Sequence, residues 1–144
     1  MKEYGVLYLK PVFPEGHKKQ WLNYVKIGVG IPKELSSILD GFVERTNKKF
    51  KDYIHLKLDK GLQPGLLCDA DKVEEIARFI YNGYCDAFDA ANIKPYLRLV
   101  YTTGTIDEKY INEVDTVHHL PPLPVMVKLG RFLDSEKETG IFKI

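Results

Sequence analysis

The sequence predicts an α+β domain built as a two-layer sandwich, its helices on one face of a mixed or antiparallel sheet of about five strands. Apolar residues recur at helical spacing in two long segments, 33–49 and 72–92, and at a period of two in several short ones. Helix-like and strand-like segments also alternate along the chain, in the order ββαβαβαβ, rather than falling into separate blocks.

Tyr4 to Leu9 is apolar on both alternating faces, which suits a strand in the middle of a sheet; Pro11, Pro14 and Gly16 end it. A second strand is expected at Tyr24 to Val29. Gly28, Gly30 and Pro32 then mark the change to a helix, with Pro32 at the first helical position, where its missing N–H is no loss. In the first helix, about Lys33 to Lys49, Leu35, Ile38, Leu39, Phe42 and Val43 form one apolar stripe. A third strand, Lys51 to Leu58, alternates, with Ile54, Leu56 and Leu58 on one side and Tyr53, His55 and Lys57 on the other. The turn from Lys60 to Gly65 closes it.

The second helix, about Lys72 to Asn92, carries Val73, Ile76, Ala77, Ile80, Tyr84, Ala87, Phe88 and Ala91 on one face. Asp71 with Glu74 reads as a capping box. Gly83 costs up to about 1 kcal/mol relative to alanine in mid-helix, so close packing is expected there. Lys94-Pro95 ends the helix and Tyr96 to Tyr101 alternates as a strand. Thr105 and Glu108 frame a short helix to about Val114, and His118 to Pro124 is expected to be extended because its prolines cannot donate to a ladder. Val125 to Leu129 reads as a fifth strand and Ile141 to Ile144 as an edge. Two apolar stripes need one flat surface to cover, so the arrangement is broadly ferredoxin-like. A doubly wound parallel sheet ranks lower, because two helices do not cover both faces of five strands.

The 144 residues read as one domain, 1–144, of ordinary globular composition. A net charge of +1 supplies no global field toward nucleic acid or membrane, so phosphate binding requires a local patch. Cys68 and Cys85 form neither a disulfide framework nor a zinc-ligand spacing, which points to a reducing, cytoplasmic setting. The chain runs from Met1 straight into a strand, so no leader is expected. No run approaches the roughly 20 apolar residues of a membrane span, and no membrane partner is expected.

If Val25, Ile27, Ile54, Leu56, Leu58, Leu97, Leu99, Val125 and Val127 face the core, the other sheet face carries Tyr24, Lys26, Tyr53, His55, Lys57, Tyr96, Arg98, Met126 and Lys128. Rings interleaved with cations on an open sheet suit bases and phosphates of single-stranded nucleic acid, or the seam of a homo-oligomer. The bland reading is that tyrosine favours strands and lysine favours solvent. A non-catalytic binding or regulatory protein is therefore the first expectation. The alternative is a small hydrolase or transferase using His118 or His119 with Asp115, Asp86 or another carboxylate. Gly28-Val29-Gly30 lacks the third glycine of a dinucleotide loop, and Asp69-Ala70-Asp71 reads as a helix cap before it reads as a metal clamp. With no nucleophile motif and no metal-ligand spacing, neither a catalytic set, a cofactor nor a metal is assigned.

Overall fold

The computed structural model describes residues 2–12, 33–60, 63–92, 96–135 and 138–144. Over these residues the chain forms β1 (Lys2–Val12), α1 (Lys33–Lys49), β2 (Ile54–Leu56), β3 (Gly65–Asp69), α2 (Val73–Ala90), β4 (Tyr96–Ile106), α3 (Glu108–Asn112), α4 (Pro124–Ser135) and β5 (Gly140–Lys143). Turns of 3-10 helix lie at Ala70–Lys72 and Val117–His119. The expected strand from Tyr24 to Val29, with Tyr24, Val25, Lys26 and Ile27, lies outside the described residues.

The strands make one sheet in the order β2-β3-β1-β4-β5. β5 runs parallel to β4, and the remaining neighbours are antiparallel. The fold is the α+β sandwich with a mixed sheet that the sequence predicts. Among the described residues, the run β1-α1-β2-β3-α2-β4 and the order of its strands are compatible with a ferredoxin-like arrangement.

Alternation along β1 divides the core. Leu7 and Leu9 point to one side, where they meet Leu35, Phe42 and Val43 of α1 and Ile76, Ile80 and Tyr84 of α2. Tyr4, Val6 and Tyr8 point to the other, against Ile111 of α3, Val117, and Met126, Leu129 and Leu133 of α4. Helices on one face therefore describes α1 and α2 alone. The second face is covered too, because β1 is as apolar on that side as on the first.

Several local expectations are corrected by packing. Val125 to Leu129 is helix rather than strand: Pro124 opens α4, and the buried residues Met126, Leu129 and Leu133 repeat at helical spacing beyond the short window that alternation covers. β3 occupies Gly65 to Asp69, where the sequence reading has only the end of a turn at Gly65 and a helix cap at Asp69; as a strand buried on both faces it shows no alternation. A register shift between Ile54 and Leu56 breaks the alternation of the third strand, so Leu56 joins the α4 side while Ile54 and Leu58 pack on the α1 side. The capping box at Asp71 and Glu74 does not form, since no side chain caps either the 3-10 turn or α2. At α3 the cap is Asp107, which accepts a hydrogen bond from the Lys109 N–H at 3.1 Å, while Thr105 belongs to β4.

Gly83 is where α2 crosses α1 closely. A Cβ there would stand 2.0 Å from ring carbons of Phe42, whose ring stacks on Phe79 at 5.5 Å. The side chain of Asn47 clamps the end of α1 to the exit of β2, donating to the Leu58 carbonyl at 3.0 Å and accepting from its N–H at 2.8 Å.

Ile80→Ala and Leu56→Ala, one in each half of the core, should each lower unfolding free energy in urea by about 2–5 kcal/mol. Losses under about 0.5 kcal/mol at both sites would mean that neither face is packed as described. Gly83→Ala separates propensity from packing. Helix propensity alone gains up to about 1 kcal/mol, whereas the Phe42 clash costs about 1–3 kcal/mol, so the variant should be less stable than the parent.

Candidate functional site

The sheet face proposed from the sequence does not stand open among the described residues. Arg98 is 5% exposed and Met126 8% exposed. Alternation puts Arg98 on the α4 side of β4, paired in register with Lys10, whose ammonium reaches Asp134 of α4 at 3.2 Å. Met126 and Lys128 ride on α4 itself, Met126 inward and Lys128 exposed. Tyr96 begins β4. Tyr53, His55 and Lys57 are each exposed on the stretch around β2, the edge strand of the sheet. Lys128 is separated from them, since α4 packs over β4 and β1.

At that edge, Tyr53 is 37% exposed and the Lys72 ammonium sits 4.9 Å from its ring centroid, a cation–π contact. His55 Nε2 lies 2.6 Å from Asp69 Oδ1, and its ring meets Tyr4 edge-on at 5.2 Å. The Tyr4 hydroxyl donates to Glu108 at 3.4 Å. Burial, then the nearby Glu108 and Asp69, raise the Tyr4 phenol above its ordinary value. Beside this group, Lys2, Glu3, Asp69, Ala70 and Asp71 line a shallow depression of about 500 Å³.

A second Asp–His pair stands at the far end of the β1–β3 ladder. His118 Nε2 lies 3.1 Å from Asp59 Oδ2, and the other carboxylate oxygen accepts the Gly65 N–H at 2.7 Å. The His118 ring stacks on Tyr8 at 5.4 Å with an interplanar angle of 18°. Gly65 admits this crowding, since a Cβ there would meet Val117 at 2.3 Å and Tyr8 at 2.5 Å. Asp59, rather than Asp115 or Asp86, is thus the carboxylate that meets His118. Sequence reasoning passed over Asp59 and Tyr8; the one local sign was an acid placed just before a Gly/Pro turn, where its oxygens can bond backbone N–H groups.

Among the described residues, no three His, Cys, Asp or Glu side chains come together as a metal-binding group. Nor is any helix long and apolar enough to cross a membrane. Both thiols are free. Burial, then Asp69 and Asp71, push Cys68 up to about 12, which makes it an unreactive core residue. Iodoacetamide at about pH 8 should therefore leave Cys68 unmodified in the native protein and alkylate it after unfolding, as read by mass spectrometry.

Burial, then Asp59, push Tyr8 up to about 12 from an ordinary 10.0. The folded chain keeps this proton in a range where the unfolded chain has released it. The resulting stability is complete below pH 10 and is lost as pH rises from 10 toward 12. Tyr8→Phe should flatten that alkaline decline in a series of unfolding curves; an unchanged slope would remove Tyr8 as its source.

No protein-family model and no curated protein matches this chain, so its chemistry is read from these groups themselves.

Proposed function

We propose that this protein is a binding or regulatory protein whose β2 sheet edge is a non-catalytic recognition surface, and that the partner it recognises there is a second copy of the chain. The observation that carries this reading is the exposed trio Tyr53, His55 and Lys57 on one edge, with Lys72 over the Tyr53 ring. Tyr53 is one of three large apolar side chains exposed among the described residues, the others being Ile38 and Val127. A half-exposed tyrosine within a charged rim is the composition of an interface anchor.

The charges around it favour a protein over a polyanion. The depression beside this edge carries three carboxylates, Glu3, Asp69 and Asp71, against one cation, Lys2. In an isologous contact the basic half of one copy meets the acidic half of its twin. Single-stranded nucleic acid is the second partner class: Tyr53 offers a stacking ring and the two lysines offer phosphate contacts, but the same carboxylates oppose it. The reading includes a cytoplasmic setting, which the two free thiols support.

Sedimentation velocity should show a dimer that Tyr53→Ala and Lys57→Glu shift toward monomer without loss of thermal stability. A monomer at every concentration would overturn the self-association reading. Labelled single-stranded DNA and RNA at low salt supply the other arm. Binding at about 50 μM protein that Lys57→Glu weakens would move the assignment to nucleic acid, and none would end that branch.

A further inference from the structure

We propose that Asp59 and His118 form an acid–base site, independent of the β2 edge, which hydrolyses neutral carboxylic esters. Three separate parts of the chain build it: Tyr8 from β1, Asp59 from the connection between β2 and β3, and His118 from the 3-10 turn after α3. One carboxylate oxygen accepts the Gly65 N–H at 2.7 Å and the other stands 3.1 Å from His118 Nε2, within ion-pair distance, so the backbone holds the acid beside the base. Tyr8 stacks on the imidazole and fixes the plane of the ring. This is the base-and-orienter layout of hydrolytic sites, here with Asp beside Nε2, which leaves Nδ1 as the basic nitrogen.

The pair is also placed for use. The His118 side chain is 38% exposed whereas Asp59 is 18% exposed, so water and substrate reach the base while the acid behind it stays largely covered. As fold glue, a partly exposed ion pair contributes little, so stability alone explains little of this three-part construction. Tyr8, held as a neutral phenol, adds no charge to the site.

Charge selects the substrate class. Asp59 faces the site, and the neighbouring Lys60 ammonium is turned away toward Asp40 at 4.0 Å and Glu44 at 3.9 Å. The Asp59 carboxylate repels a phosphate ester, whereas a neutral carboxylic ester meets no such repulsion. In the reaction, water gives a proton to His118 Nδ1 as its oxygen bonds to the ester carbonyl carbon. The tetrahedral adduct then breaks its C–O bond to the leaving alcohol, and that oxygen takes the proton back from the imidazolium. Ester and water become acid and alcohol, and His118 is restored. His118 is the catalytic residue and Asp59 a positioning residue.

The test is hydrolysis of p-nitrophenyl acetate by the full chain, with unfolding curves for every variant. His118→Ala should lower kcat/KM about 100-fold, while His119→Ala, one position away and exposed, should leave it unchanged. Asp59→Asn retains an oxygen for the Gly65 N–H, so it should stay folded and lower kcat about tenfold with KM unaltered. If His118→Ala fails to fold, His118→Gln takes its place. A folded His118 variant with parental activity, or equal losses from His118→Ala and His119→Ala, would overturn the site. Faster cleavage of p-nitrophenyl phosphate than of the acetate would overturn the substrate class.

Discussion

β1 is hydrogen-bonded along both edges, to β3 on one side and to β4 along its whole length on the other. From Tyr4 to Leu9 it is also buried on both faces. A strand in that position has no solvent side, so every residue must find a dry neighbour, and each face of the sheet must be covered. The amphipathic stripes of α1 and α2 cover one face. The other is left to whatever the chain supplies later, and α3, the turn at Val117–His119 and α4 supply it. Most of the remaining architecture follows from this demand.

Covering the second face also decides where polar chemistry resides. Arg98 and Met126, which an open sheet would present to a partner, are buried, and what reaches solvent is pushed to the ends and edges of the strands. Two Asp–His pairs occupy opposite ends of the β1–β3 ladder. One lies where Tyr4 pairs with Asp69, the other where Tyr8 pairs with Gly65. Tyr4 and Tyr8 lie four residues apart on the same side of β1, so each ring leans on the histidine at its own end. The phenols pack against the second core while the imidazoles remain in contact with water.

The two ends differ in what surrounds them. At the β2 edge, His55 sits among Tyr53, Lys57 and Lys72 on one side and Glu3, Asp69 and Asp71 on the other, a mixed field suited to complementarity with another surface. At the other end, the backbone of β3 holds one oxygen of Asp59, and the second oxygen orients a single imidazole. The first arrangement spreads charge over an edge, and the second concentrates it on one bond, so the two carry different functional readings.

The sequence by itself determined the α+β class, the bounds of α1, most of α2 and the core strands β1 and β4. The helices and β4 carry a period over many residues, and β1 is an apolar run bounded by prolines that reads as a strand buried on both faces. It did not determine β3, because Leu66, Leu67 and Cys68 are apolar on both sides and show no period. Nor did it determine α4, because Val125 and Val127 look strand-like until the stripe is followed to Leu133. The trio Tyr53, His55 and Lys57 was legible as a surface group, but its grouping with Arg98 and Lys128 failed once α4 replaced the fifth strand. Only the tertiary structure brought Asp59 to His118 and Asp69 to His55. Such contacts join residues far apart in the chain, and they arise from strand pairing and the closing of the second face, neither of which leaves a periodic mark on the residues concerned.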